Sequence, residues 1–104
     1  MTTVYVSIGN SDDKLRQVDW SLFVNRTVRL IRVYGGVIHG EWYSLPHHRW
    51  QNACICFEPI AGSADRIKEQ LAKIAARFGQ DSIAWAEAPE TQFITGTGEA
   101  TSAR

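Results

Sequence analysis

Two apolar runs, residues 37–45 and 53–57, stand on either side of a short loop bounded by Pro46 and Asn52, and this pairing constrains the fold more than any other feature of the chain. Strand-like runs that meet across a proline-containing loop read as a β-hairpin. Each flank of the hairpin carries a helical period instead. Before it, Trp20, Phe23, Val24, Thr27, Val28, Leu30, Ile31 and Tyr34 fall in one stripe at about 100° per residue. Ser21, Asn25, Arg26, Arg29 and Arg32 fall outside the stripe, and Leu22 and Val33 are left on its polar side. After the hairpin, Ile67, Leu71, Ile74, Ala75 and Phe78 recur at the spacing of one helix face. Gly35-Gly36 and Gly79 are placed to end the two helices, and Ser63 to cap the second with a hydroxyl that accepts an unpaired N–H.

A strand at each end completes the pattern. Val4, Val6 and Ile8 alternate with Tyr5 and Ser7 before a polar turn at residues 9–13, and residues 82–86 form a short apolar run that stops ahead of Pro89. The order β-α-β-β-α-β predicts an α+β fold of the ferredoxin-like (split βαβ) type over residues 1–89. It is a four-stranded antiparallel sheet with two helices on one face. Residues 90–104 are rich in Thr, Gly, Ala and Ser, with little to bury beyond Phe93 and Ile94, and are expected to form a flexible C-terminal tail. The reverse face of the sheet is left open, and what meets it is the functional question.

With 104 residues, 44% of them apolar and 21% charged, the chain is long enough to bury one core without metal or disulfide staples. Eleven basic and eleven acidic residues cancel, which removes the bulk electrostatic basis for binding nucleic acid. No apolar run approaches the ~18–20 residues needed to cross a bilayer, and the N-terminus carries no charged leader before an apolar stretch. The expectation is a cytoplasmic protein, away from membranes, whose two cysteines are reduced.

Candidate sites follow from the parity of the hairpin. If Ile38 and Trp42 point inward with Ile55 and Phe57, then His39, Glu41, Tyr43, Cys54 and Cys56 share the open face. Imidazole, carboxylate and thiolate all bind zinc. However, Cys-x-Cys on a strand separates the two Cα atoms by about 6.6 Å and holds the thiols parallel, so neither a metal site nor an internal disulfide is expected. A thiol near a histidine also suggests nucleophilic chemistry, but no nucleophile elbow, oxyanion motif or glycine-rich phosphate loop accompanies it. No catalytic residue and no cofactor is therefore assigned. The loop residues His47, His48, Arg49 and Trp50 are the most distinctive exposed stretch, because Trp and Arg most often anchor protein interfaces. Arg26 and Arg29, on the outward side of the first helix, join them as a partner-binding set. The strand at 53–58 offers cysteines where RNA-binding members of this fold carry stacking aromatics, which again disfavours nucleic acid.

Three motifs, Asp19-Trp20 through Phe23, Gly40-Glu41-Trp42 and Phe78-Gly79-Gln80-Asp81-Ser82, together give the chain a resemblance. Over roughly residues 3–87 it resembles a group of small ferredoxin-like proteins from actinobacteria and their phages, a group with no established activity. The resemblance implies the fold and a phage-borne or accessory role. The first expectation is a small non-enzymatic protein-binding module, homodimeric through the open sheet face, that contacts a host protein. The alternative is a small dimeric enzyme or ligand binder of the cofactor-free monooxygenase or isomerase type, with Trp20, Trp42 and Trp85 lining a pocket and His39 or Glu41 accepting a proton.

Overall fold

The computed structural model describes residues 2–45 and 48–103. Its elements are β1 (Thr3–Gly9), a single 3₁₀ turn (Ser11–Asp13), α1 (Gln17–Val33), β2 (Val37–Tyr43), β3 (Asn52–Glu58), α2 (Ala64–Arg77), β4 (Ala84–Ala88), β5 (Thr91–Ile94) and β6 (Ala100–Ala103). The first four strands form one antiparallel sheet in the order β2-β3-β1-β4. The expected ferredoxin-like α+β architecture is present, with both helices on one face.

That face is chosen by side-chain alternation. Val4, Val6 and Ile8 of β1 stand opposite Phe57, Ile55 and Ala53 of β3, and all six are buried beneath Trp20, Phe23, Val24, Val28 and Ile31 of α1 and Ile67 and Leu71 of α2. Each large side chain removed from water in this way stabilises the fold by about 1.5–3 kcal/mol. Between the helices, Phe23 stacks on Phe78 with ring centroids 5.1 Å apart, and across the sheet Phe57 meets Trp85 edge-on at 5.7 Å. Thr27 is a polar member of the stripe yet fully buried, and it satisfies its hydroxyl by donating to the Phe23 carbonyl at 2.8 Å.

Both helices stop in the same way. The Gly36 N–H reaches back to the Ile31 carbonyl and that of Gly35 to Arg32, while Gln80 and Gly79 do the same with Ala75 and Ala76. This Schellman arrangement needs a left-handed residue, supplied by Gly35 at φ 89° and Gly79 at φ 64°. The start of α2 departs from expectation. Ser63 precedes its first residue, but its hydroxyl donates backward to the Ile60 carbonyl at 2.6 Å and leaves the helix N–H groups alone.

Residues 90–104, expected as a flexible tail, contain a hairpin. β5 pairs with β6 from Thr91–Ala103 to Ile94–Ala100, closed by Thr95 and Gly98, in a second sheet of its own.

Candidate functional site

The open side of the sheet is built by the residues that alternate with the core. Tyr5 and Ser7 of β1 stand opposite Cys56 and Cys54 of β3. Thr3, Tyr5 and Ser7 stand opposite Ala88, Ala86 and Ala84 of β4. Most of this surface is therefore small side chains.

On β2 the alternation breaks. Ile38 pairs with Phe57, but the next pair is Gly40 with Cys56, so His39 is the extra residue of a β-bulge. Beyond the bulge every side chain has changed sides. Trp42 pairs with Cys54 and lies on the open face, not in the core with Ile38, whereas Glu41 and Tyr43 pair with Ile55 and Ala53 and point to the helix side of the sheet's edge. The group read from strict alternation is thus divided: His39, Cys54 and Cys56 share the open face, and Glu41 and Tyr43 do not. Gly40 makes room for the rearrangement, since a Cβ there would lie 3.2 Å from the Trp42 ring.

Each half of the divided group makes its own contacts. His39 Nε2 lies 2.9 Å from Glu58 Oε1, an ion pair when the ring is protonated. The Tyr43 hydroxyl donates to Glu41 Oε1 at 2.8 Å. Loss of water around the Tyr43 phenol, reinforced by the hydrogen bond and charge of Glu41, raises its pKa above the ordinary 10.0. Tyr5 is also raised above 10.0, mainly by the electrostatic interaction with its neighbour Cys56 and by the hydrogen bond between them. Both cysteines are free, Cys54 partly exposed and Cys56 buried at 6% exposure, although Cys56 lies on the open face. Tyr5 and Gly40 stand on either side of it. Out of this surface rise Val37 at 55% exposure, Trp42 at 54% and Tyr5 at 39%. A groove of about 340 Å³ runs from Ser7, Trp42 and Cys54 to Ser44 and Asn52, joining the open face to the base of the loop between β2 and β3.

Sequence reasoning missed what fixes that loop. Asn10 is wholly buried. Its Nδ2 donates to the Leu15 carbonyl at 3.0 Å, its Oδ1 accepts the Leu15 N–H at 2.8 Å, and its own N–H donates to the Gln51 carbonyl at 2.8 Å. Gln51 exchanges two amide hydrogen bonds with Gln17 of α1, and Ser44 and Asn52 close the loop's base with two more. The only trace of this in the sequence was an asparagine in a turn cluster. Above this base the Arg49 guanidinium sits 5.1 Å from the centre of the exposed Trp50 ring. His48 is exposed and its N–H donates to the Leu45 carbonyl, while His47 lies outside the described residues. Arg26 and Arg29 are exposed on α1, across the sheet from the open face.

The tryptophans of the alternative enzyme reading do not converge. Trp20 is in the core, Trp85 packs on Phe57 beneath Lys68, and Trp42 is on the other side of the sheet. Among the described residues no three His, Cys, Asp or Glu side chains come together as metal ligands, and no helix is long and apolar enough to cross a membrane.

No protein-family model matches the chain, and no curated protein matches it either. Its fold does match solved structures. The solution structure of the C-terminal domain of the MgtC protein from Mycobacterium tuberculosis is similar with a TM-score of 0.65 at 8% identity, over 86% of this chain and 89% of that one. A crystal structure of a formyltetrahydrofolate deformylase from Pseudomonas putida KT2440 is similar with a TM-score of 0.56 at 10% identity, over 85% of this chain but 28% of that one. At such identities the likeness is one of fold, and the fold shared is ferredoxin-like.

Proposed function

We propose that this chain is a small non-enzymatic protein-binding module that pairs with a second copy through the open face of its sheet and presents the Arg49–Trp50 loop to a partner protein. The observation that carries the proposal is the character of the open face. Thr3, Ser7, Cys54, Ala84, Ala86 and Ala88 form a low, mostly uncharged floor from which Val37, Trp42 and Tyr5 stand out. Contiguous exposed apolar surface of this kind marks interaction sites, and sheets that pack face to face approach to about 10 Å through such side chains. The chain as a whole carries no net charge, so two copies meet without net repulsion. The loop is held at its base by Gln51, Ser44 and Asn52, which lowers the ordering cost of using Arg49 and Trp50 as anchors. The resemblance to actinobacterial and phage proteins supplies the setting: a cytoplasmic, phage-borne or accessory factor acting on a host protein.

Sedimentation velocity at tens of micromolar tests the pairing. The expected mass is twice the chain's 11.7 kDa, and Ala86→Arg, in the middle of the open face, should return it to one chain mass with unchanged helical circular dichroism. A parent protein that stays monomeric at millimolar concentration would sink the pairing. For the loop, a partner captured from host lysate and still retained in full by the Arg49→Ala and Trp50→Ala variants would count against its role.

A further inference from the structure

Leu22 and Val33 broke the helical stripe of α1, and the structure shows what they do. They stand 42% and 68% exposed along an open trough of about 600 Å³ between α1 and α2, on the side of the molecule opposite the open sheet face. Leu30 of α1 and Ile74 of α2 complete the apolar lining, and Arg26, Arg29 and Arg77 flank it. No carboxylate lines the trough, and among the described residues none of these three guanidinium groups has an ion-pair partner. The charge is local: the two helices carry seven basic and three acidic side chains in a chain whose charges sum to zero.

We infer that this trough is a second docking site, and that its occupant is an acidic amphipathic helix of a partner protein. The inference rests on the reading of the chain as a protein-binding module and adds the chemistry of one partner. Leu22, Arg26, Arg29 and Val33 recur at i, i+4, i+7 and i+11, so they form one straight edge. At about 1.5 Å per residue that edge is roughly 16 Å long, which is three turns of a helix laid beside it. Helix-in-groove recognition uses this combination, with apolar side chains into the floor and charges along the rim. Arginine forks bind carboxylates through two parallel hydrogen bonds, so glutamates flanking the apolar stripe of the incoming helix complement Arg26, Arg29 and Arg77. The site is too open to enclose a small molecule, whose pockets bury most of the ligand's surface. Its apolar floor gives a nucleic-acid backbone nothing to pair with.

The test uses the full chain and fluorescence anisotropy of labelled, end-capped 18-residue model helices. One has a leucine stripe flanked by glutamates, a second has lysine at every glutamate position, and a third is a scrambled acidic sequence. Saturable binding of the first peptide only is expected, weakened at least tenfold by Arg29→Glu and by Val33→Asp, and weakened by added salt. Trp42→Lys and Trp50→Ala should leave it unchanged, because they lie on the other surfaces. Failure of the pairing or loop proposals therefore shows in sedimentation and capture, and failure here shows only in anisotropy. No binding at hundreds of micromolar, equal binding of the scrambled peptide, indifference to Arg29→Glu, or tighter attachment to phosphatidylserine vesicles than to the acidic helix would each overturn the inference.

Discussion

Replacing Asn10 with alanine is the most revealing single change, because one side chain there joins the turn and the entry of α1 to a loop 41 residues away in sequence. Its two good hydrogen bonds, at 3.0 Å and 2.8 Å, both go to the backbone of Leu15. Two longer contacts, each 3.4 Å, reach Asp13 and Gln51. At about 1 kcal/mol net per good bond, the direct loss is about 2 kcal/mol. The stranded N–H and C=O of Leu15 add to this, but Leu15 is only half-buried, so water recovers part of the loss and the total is about 2–3 kcal/mol. Against a global stability of about 5–15 kcal/mol this is a large fraction. With a urea dependence of about 1–3 kcal/mol per molar, the unfolding midpoint should fall by about 0.7–3 M. The Asn10 and Gln51 side chains touch at 3.4 Å, so Gln51→Ala combined with Asn10→Ala should cost less than the sum of the two single changes, by about 0.5 kcal/mol or more, although the backbone bond from Asn10 to Gln51 survives. A loss below about 0.5 kcal/mol for Asn10→Ala alone, within the range of ordinary surface changes, would refute the view that this amide ties the turn, the helix entry and the loop together.

Three further outcomes are expected. In thermal or urea unfolding, Phe78→Ala and Leu71→Ala should each cost about 2–5 kcal/mol as core truncations, whereas Arg29→Ala should stay within about 0.5 kcal/mol; the reverse ranking would mean the helical faces are misassigned. A thiol reagent should modify Cys54 first and Cys56 at least about tenfold more slowly, since reaching Cys56 requires its neighbours on the open face, Tyr5 among them, to move aside; equal rates would contradict its burial. The Tyr5 phenol, followed by absorbance near 295 nm in a Tyr34→Phe, Tyr43→Phe background, should titrate above its ordinary 10.0 and move back toward it in Cys56→Ala. Because folding raises this pKa, the associated stability is fully present below the ordinary value and is lost as pH rises through the folded one. An unchanged titration in Cys56→Ala would remove Cys56 as the cause.

Much of the architecture was legible because it depends on periodicity. The stripe of α1 and that of α2 placed both helices on the same side of the sheet, and the glycines after Tyr34 and Phe78 marked their ends. What escaped depends on contacts that periodicity does not encode. The burial of Asn10 is set by Gln51 and Leu15, one of them far away in sequence. Ser63 had two acceptors to choose between, and the turn at Ile60 took its hydroxyl. The hairpin at residues 91–103 buries little, so its apolar signal was weak although Thr95 and Gly98 were there to close it. Leu22 and Val33 were visible as misfits, but only the approach of Ile74 and Arg77 gives them a common surface. The division of the candidate cluster on β2 was the largest departure, and Gly40 was its one local sign.

The extra residue at His39 has a genetic consequence. Point substitutions alter what a position offers but leave its address on the ribbon intact. Loss of the single codon for His39 would restore strict alternation with Gly40–Cys56, Glu41–Ile55 and Trp42–Cys54 still opposite one another, so the Trp42 indole would stay on the open face and the Glu41 carboxylate on the helix side. A lineage carrying this fold can therefore gain or lose the imidazole beside Glu58 by a change in length alone, with every other side chain kept on its own face.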